Sequence, residues 1–201
     1  YAIADALIAR KPLGGATVIV ERHHGGEVTE VFRYEERDTA GRSYFEKPNL
    51  ALDRLHKQLV FVSATGLGAV HLESGVVRDV LVASGQVPSG NQYIPPRTRF
   101  VSPLSGEALV TYGLYSPALS ADARFISLFS ASYESGRTAI VGIDEGSIAS
   151  LRYGRVVVDW HPSQSVLAGE DSPWDADDAS RLITAERGPS GAWVETSRPM
   201  E

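Results

Sequence analysis

The groups in this 201-residue chain that could hold a metal or move a proton are five histidines, His23, His24, His56, His71 and His161, and a scatter of carboxylates. A zinc site needs histidines at helical His-Glu-x-x-His spacing or cysteine thiolates. Neither occurs, and the chain has no cysteine at all. His23-His24 adjoin Gly25-Gly26, so a solvated turn accounts for them. The run Asp159-Trp160-His161-Pro162-Ser163 holds an acid, a base and a hydroxyl. On a strand, Asp159 and His161 share one face and Trp160 takes the other, toward a core, with Pro162 ending the strand. Triads are defined by geometry, not by nearness in sequence, so Asp159 and His161 are only weak catalytic candidates. No Gly-x-Ser-x-Gly elbow is present. Gly66-Leu67-Gly68 lacks the third glycine and the helix of a dinucleotide loop, and reads as a hairpin turn. The carboxylate pairs Glu35-Glu36, Asp144-Glu145 and Asp177-Asp178 sit in polar stretches. No cofactor and no metal is implied.

Aromatic residues in breaker-rich segments are better candidates, for binding. Tyr93 stands beside Pro95-Pro96, Tyr112 and Tyr115 precede Pro117, Tyr133 follows an apolar run, and Trp174 lies in an acidic stretch. With Arg97 and Arg99 they could form an exposed contact patch, since aromatics and arginines dominate the energetics of interface centres. The competing reading is that the same rings pin loops onto a sheet.

The elements that would carry these residues are short. Nineteen glycines and eleven prolines interrupt almost every apolar run before it reaches helix length. Residues 2–10 place Ile3, Ala6, Leu7 and Arg10 at helical spacing, which predicts a short helical lead-in within residues 1–15. From residue 16 onward, β-branched runs alternate with turns. Strands are expected at 17–22, 27–34, 59–63, 69–72, 76–82, 108–112, 125–130, 138–143, 156–160 and 192–196, with a hairpin closed by Gly25-Gly26. Residues 86–103, with four prolines, and the acidic residues 170–178 are expected to be long loops. The whole chain, 1–201, reads as one β-rich domain of antiparallel strands.

Composition sets limits on partners. A formal net charge of -6 and the lack of any dense Lys/Arg run disfavour nucleic acid. No stretch approaches the roughly 20 apolar residues of a membrane-spanning helix.

An internal repeat adds to this. Pro48-Asn49-Leu50-Ala51-Leu52-Asp53 and Pro117-Ala118-Leu119-Ser120-Ala121-Asp122 both read Pro-x-Leu-x-x-Asp, and each is followed by a polar turn and an apolar strand closing on Ser63 or Ser130. A weaker copy begins near Val158-Asp159-Trp160. Repeats at roughly 40–50 residues point to units that must stack to bury their apolar faces. Ser120-Ala121-Asp122-Ala123-Arg124-Phe125-Ile126 resembles the Asp-containing turn of TolB-like, WD40-like β-propeller blades, with Thr138 to Gly146 similar to the following strand and turn. Ala123 stands where that family has glycine, and the two copies are 69 residues apart, too long for one blade and short for two. The resemblance implies a propeller-like all-β fold of about four blades, or a fragment of one. An ordinary antiparallel β-sandwich is the alternative. It also implies a non-catalytic module that binds another protein, as exported, periplasmic interaction proteins or an immunity protein do. The alternative function is a hydrolase acting on a glycan or ester through loop carboxylates or an Asp-His pair.

Overall fold

The computed structural model describes residues 6–11, 16–36, 49–53, 57–131, 136–151, 156–171 and 181–199. Among them every regular element is a strand, and all pairing is antiparallel. Four sheets follow one another along the chain. The first holds β1 (Ala6–Arg10), β2 (Thr17–His24) and β3 (Glu27–Glu35). The second is six strands wide: β4 (Leu50–Asp53), β5 (Gln58–Ser63), β6 (Gly66–His71), β7 (Val77–Val87), β8 (Arg97–Val101) and β9 (Ala108–Thr111). The third holds β10 (Leu114–Leu119), β11 (Phe125–Ala131), β12 (Gly136–Gly142) and β13 (Ile148–Ser150). The fourth holds β14 (Val156–Trp160), β15 (Val166–Asp171), β16 (Arg181–Arg187) and β17 (Trp193–Pro199).

The period of two along a strand explains how the sheets stack. In β5, Leu59 and Phe61 point toward the first sheet and join Val18, Val20 and Tyr34. Val60 and Val62 point the other way and join Ile126, Leu128, Ala139 and Val141 of the third sheet. That third sheet in turn presents Phe125 and Ile140 from its opposite face to Trp160, Leu167 and Ala185 of the fourth. A run such as Leu59-Val60-Phe61-Val62, apolar at every position, is what a strand buried on both faces requires. β10 lies beside both β4 and β14, so the first strands of three consecutive sheets are neighbours. The Trp160 indole N–H donates to the Ala118 carbonyl and the Ser127 hydroxyl oxygen, both at 3.0 Å, and ties the fourth sheet to the third. Among the described residues, no core cluster joins the first sheet to the fourth.

Three hairpins share one turn. In His71–Val76, Ser102–Glu107 and Gly142–Ser147, the first N–H bonds to the sixth carbonyl and the fifth N–H bonds back to the first carbonyl. The fifth residue is Gly75, Gly106 or Gly146, at φ of 68°, 75° and 71°, a region where side chains are disfavoured. The last of these turns also fastens its sheet to both neighbours. Asp144 pairs with Arg78 at 2.7 Å, Glu145 with Arg187 at 2.8 Å, and Ser105 donates to the Gly146 carbonyl at 2.7 Å.

Several expectations are corrected. Residues 6–10 form β1, not a helix. Five residues cannot sustain an isolated helix, and pairing with β2 lets Leu7 and Ala9 pack on the first-sheet core while Ile8 faces out; residues 1–5 lie outside the described residues. The stretch 86–103 is not one loop, because β7 runs to Val87 and β8 occupies Arg97–Val101, with Pro88 and Pro96 acting as the stops on either side. Glu170 and Asp171 end β15, and the rest of 170–178 lies outside the described residues. Gly66–Gly68 is part of β6; the reversal comes earlier, at Ala64-Thr65. The Gly25-Gly26 hairpin stands as expected, with both residues at positive φ. Asp53 and Asp122 both belong to first-to-second-strand hairpins, but in different places. Asp53 is the last paired residue of β4, opposite Gln58, whereas Asp122 lies inside its turn. β10 carries a bulge at Ser116-Pro117, which shifts the two copies out of step. The 69-residue spacing arises because β8 and β9 widen the second sheet beyond a four-stranded unit.

Candidate functional site

The second sheet is six strands wide and its first-sheet neighbour only three. The cluster that seals this interface draws on β4, β5 and β6 together with Leu72, and includes nothing from β7, β8 or β9. The registers show what is left uncovered. Val77 pairs with Val70, yet Val70 is buried and Val77 is 49% exposed. Farther along, Val82 pairs with Val101, Gly85 with Arg99 and Val87 with Arg97, and Arg99 pairs with Val110. Alternation puts Val77, Val82, Val87, Arg97, Arg99, Val101 and Val110 on the same side of the sheet. The intervening residues Thr98, Phe100, Leu109 and Thr111 are buried, with Phe100 and Leu109 in the cluster shared with the third sheet. One face of β7, β8 and β9 is therefore core, and the other carries exposed Val77 and Val110, half-buried Val82, Val87 and Val101, two guanidinium groups and the exposed carboxylate of Asp79, which pairs with Gly68.

The loop joining β7 and β8 is built, not slack. Ser89 Oγ sits 2.7 Å from both the Asn91 and Ile94 carbonyl oxygens, and the Asn91 side-chain oxygen accepts from the Tyr93 N–H at 2.9 Å. These bonds hold Tyr93 at the tip, 80% exposed. Among the described residues, neither the Arg97 nor the Arg99 guanidinium has a hydrogen-bonding or ion-pair partner; Arg22, Arg181 and Arg198 also meet no carboxylate, whereas Arg10, Arg33, Arg78 and Arg187 each do.

The remaining candidates fall elsewhere. Tyr115 is half-buried on β10 with its ring 6.5 Å from Phe129, and Tyr112 is half-buried in the β9–β10 connection. Tyr133 and Trp174 lie outside the described residues. Asp159 is exposed and its carboxylate accepts from the Trp160 N–H at 2.8 Å; His161 Nδ1 accepts from the Ser163 N–H at 3.3 Å. Their hydrogen bonds serve the turn and do not join them into an acid–base pair. Trp160 is buried, as expected of the opposite face.

A cleft of 380 Å³ opens between the second and third sheets, lined by His71, Arg78, Asp122, Arg124 and Asp144 among others. Its polar groups mostly satisfy one another. Arg78 spans Asp144 at 2.7 Å and Gln58 Oε1 at 3.4 Å. Burial pushes the Asp122 carboxyl up, but hydrogen bonds from Ser120, Ser165 and the Arg124 N–H together hold it below the usual aspartate value. Among the described residues there is no group of three or more His, Asp or Glu able to hold a metal ion. The cleft is a fastening between sheets.

Sequence reasoning singled out Tyr93, Arg97 and Arg99 as binding candidates and expected all three in a loop, whereas Arg97 and Arg99 lie on β8. It did not single out the valines on the same face; Val101 and Val110 carried a signal, as apolar residues alternating with the buried Phe100, Leu109 and Thr111.

No protein-family model matches the chain, and no curated protein matches it. Among solved structures, it is similar to the crystal structure of TolB from Acinetobacter baumannii, with a TM-score of 0.33 and 14% identity over 97% of this chain and 52% of that one. The chain thus spans about half the length of that protein. At that score the fold is read from the sheets themselves, which are antiparallel throughout.

Proposed function

We propose that this chain is a non-catalytic protein-binding module whose contact surface is the open face of β7, β8 and β9 together with Tyr93. The observation that supports it most is the width mismatch between the first two sheets. It leaves Val77 and Val110 exposed and Val82, Val87 and Val101 half-buried on paired strands, and apolar surface gathered on such a scaffold marks an interaction site. The tyrosine and two arginines beside it are the residue types that contribute most when desolvated at an interface. The tied-down loop adds pre-organisation, which lowers the entropy cost of binding. The resemblance of residues 120–126 to TolB-like blades supports an exported, periplasmic interaction protein as the setting, an immunity or inhibitor protein being one such case.

A photo-crosslinking residue placed at Tyr93, and separately at Val194 on the fourth sheet, tests this in cells of the native source. The reading predicts one predominant protein adduct from Tyr93 and none from Val194. The same adducts from both positions, or none from Tyr93, would reject it.

A further inference from the structure

We propose that the partner presents an extended acidic segment to this face, with carboxylates at alternate positions followed by an aliphatic residue; the inference rests on the binding role given to the face above. Arg97, Arg99 and Val101 succeed one another on the same side of β8. Residues two apart on a strand stand about 7 Å apart, and an extended peptide repeats its own same-side residues at that interval. An acid-x-acid-x-aliphatic segment therefore matches both guanidiniums and Val101 in one register. Guanidinium prefers carboxylate because its planar fork donates two parallel N–H bonds.

Other arginines of the molecule are satisfied internally. Arg10, Arg33, Arg78 and Arg187 are each neutralised by a glutamate or aspartate at 2.7–2.8 Å. In a chain of net charge -6, Arg97 and Arg99 stand two residues apart on the same side of β8 and, like Arg22, Arg181 and Arg198, meet no described carboxylate; the exposed Asp79, paired with Gly68 on β7, is an acidic residue on that same side of the sheet. A neutral apolar partner would bury both unpaired, which is costly, and a second copy of this face would bring like charges together. An acidic segment avoids both costs.

The test uses the full chain and short synthetic peptides. One carries a Glu-Thr-Glu-Thr-Val core, a second the same residues with the two glutamates adjacent, and a third lysine in place of glutamate. Backbone amide shifts are followed by NMR at about 50 and about 500 mM salt. The expected result is binding of the first peptide, shifts centred on β8 and β9, and weakening at high salt. A loss of at least about tenfold is expected with R97E/R99E and none with the fourth-sheet control R198E. Equal binding of the adjacent-glutamate or lysine peptide, no binding of the first peptide, shifts elsewhere, or concentration-dependent self-association through this face would overturn it. If the Tyr93 adduct forms equally well in R97E/R99E, the acidic inference fails while the binding role stands. If no adduct forms at Tyr93, the binding role itself fails.

Discussion

Replacing Trp160 with phenylalanine should separate the fourth sheet's attachment from ordinary core packing. The indole N–H bridges the Ala118 carbonyl and the Ser127 hydroxyl oxygen at 3.0 Å each, and both Trp160 and Ser127 are buried. Phenylalanine keeps an aromatic ring but removes the donor, leaving the buried Ser127 hydroxyl and the half-buried Ala118 carbonyl with only their long 3.5 Å bond to each other, at about 1–3 kcal/mol. The smaller ring adds a void worth about 1 kcal/mol. The expected loss is about 3 kcal/mol, or roughly 6–12 °C in Tm for a chain of this size. Trp193 is the comparison. It meets Phe125 at 5.2 Å and Trp160 at 5.9 Å, edge to face, and among the described residues its N–H has no partner, so W193F should cost about 1 kcal/mol. Urea unfolding followed by far-ultraviolet circular dichroism gives both values, and a double-mutant cycle with S127A isolates the Trp160–Ser127 coupling. If W160F costs no more than W193F, or the cycle shows no coupling, the sheet-to-sheet tie assigned to Trp160 is wrong.

Other outcomes follow from the same structure. At Gly66 the backbone has φ of 150° and a Cβ would overlap the Leu81 carbonyl oxygen, so G66A should cost about 3 kcal/mol in urea unfolding. The Ser147 hydroxyl, opposed by burial and reinforced by Arg187, holds the Glu145 carboxyl below its ordinary 4.5. Its contribution is therefore full above about pH 4.5 and is lost as pH falls through the lower folded value, and E145Q should show a shallower acid-side decline in stability. Burial, with the Glu36 carboxylate adding to it, pushes the Tyr34 phenol far above its ordinary 10.0. The unfolded chain then loses that proton first, stability falls as pH rises past about 10, and Y34F should flatten this alkaline limb in thermal melts at a series of pH values.

What the sequence disclosed depended on whether a segment's neighbours were local. The runs at 58–63 and 125–131 were readable because a strand buried on both faces is apolar at almost every position. β8 was not, since prolines at 88, 95, 96 and 103 made its surroundings look like loop, although each lies outside the paired strand. Residues 6–10 are too few to separate a helical from a strand period, and only the pairing with β2 decides between them. Tyr93, Arg97 and Arg99 could be picked out by residue type. That Arg97 and Arg99 share a sheet face with Val77 and Val110 follows from pairing registers between strands, which have no local signature. The contact of Tyr115 with Phe129 had no local signature for the same reason, because it exists only across the β10–β11 pair.

Hydrogen exchange on the complex with the protein captured through Tyr93 reads the central assignment most directly. Slowed exchange should be confined to amides of the 88–96 loop, β8 and β9, with no protection gained on β14 to β17. Protection that appears on the fourth sheet, or an unchanged pattern over β8 and β9, would contradict the placement of the binding surface.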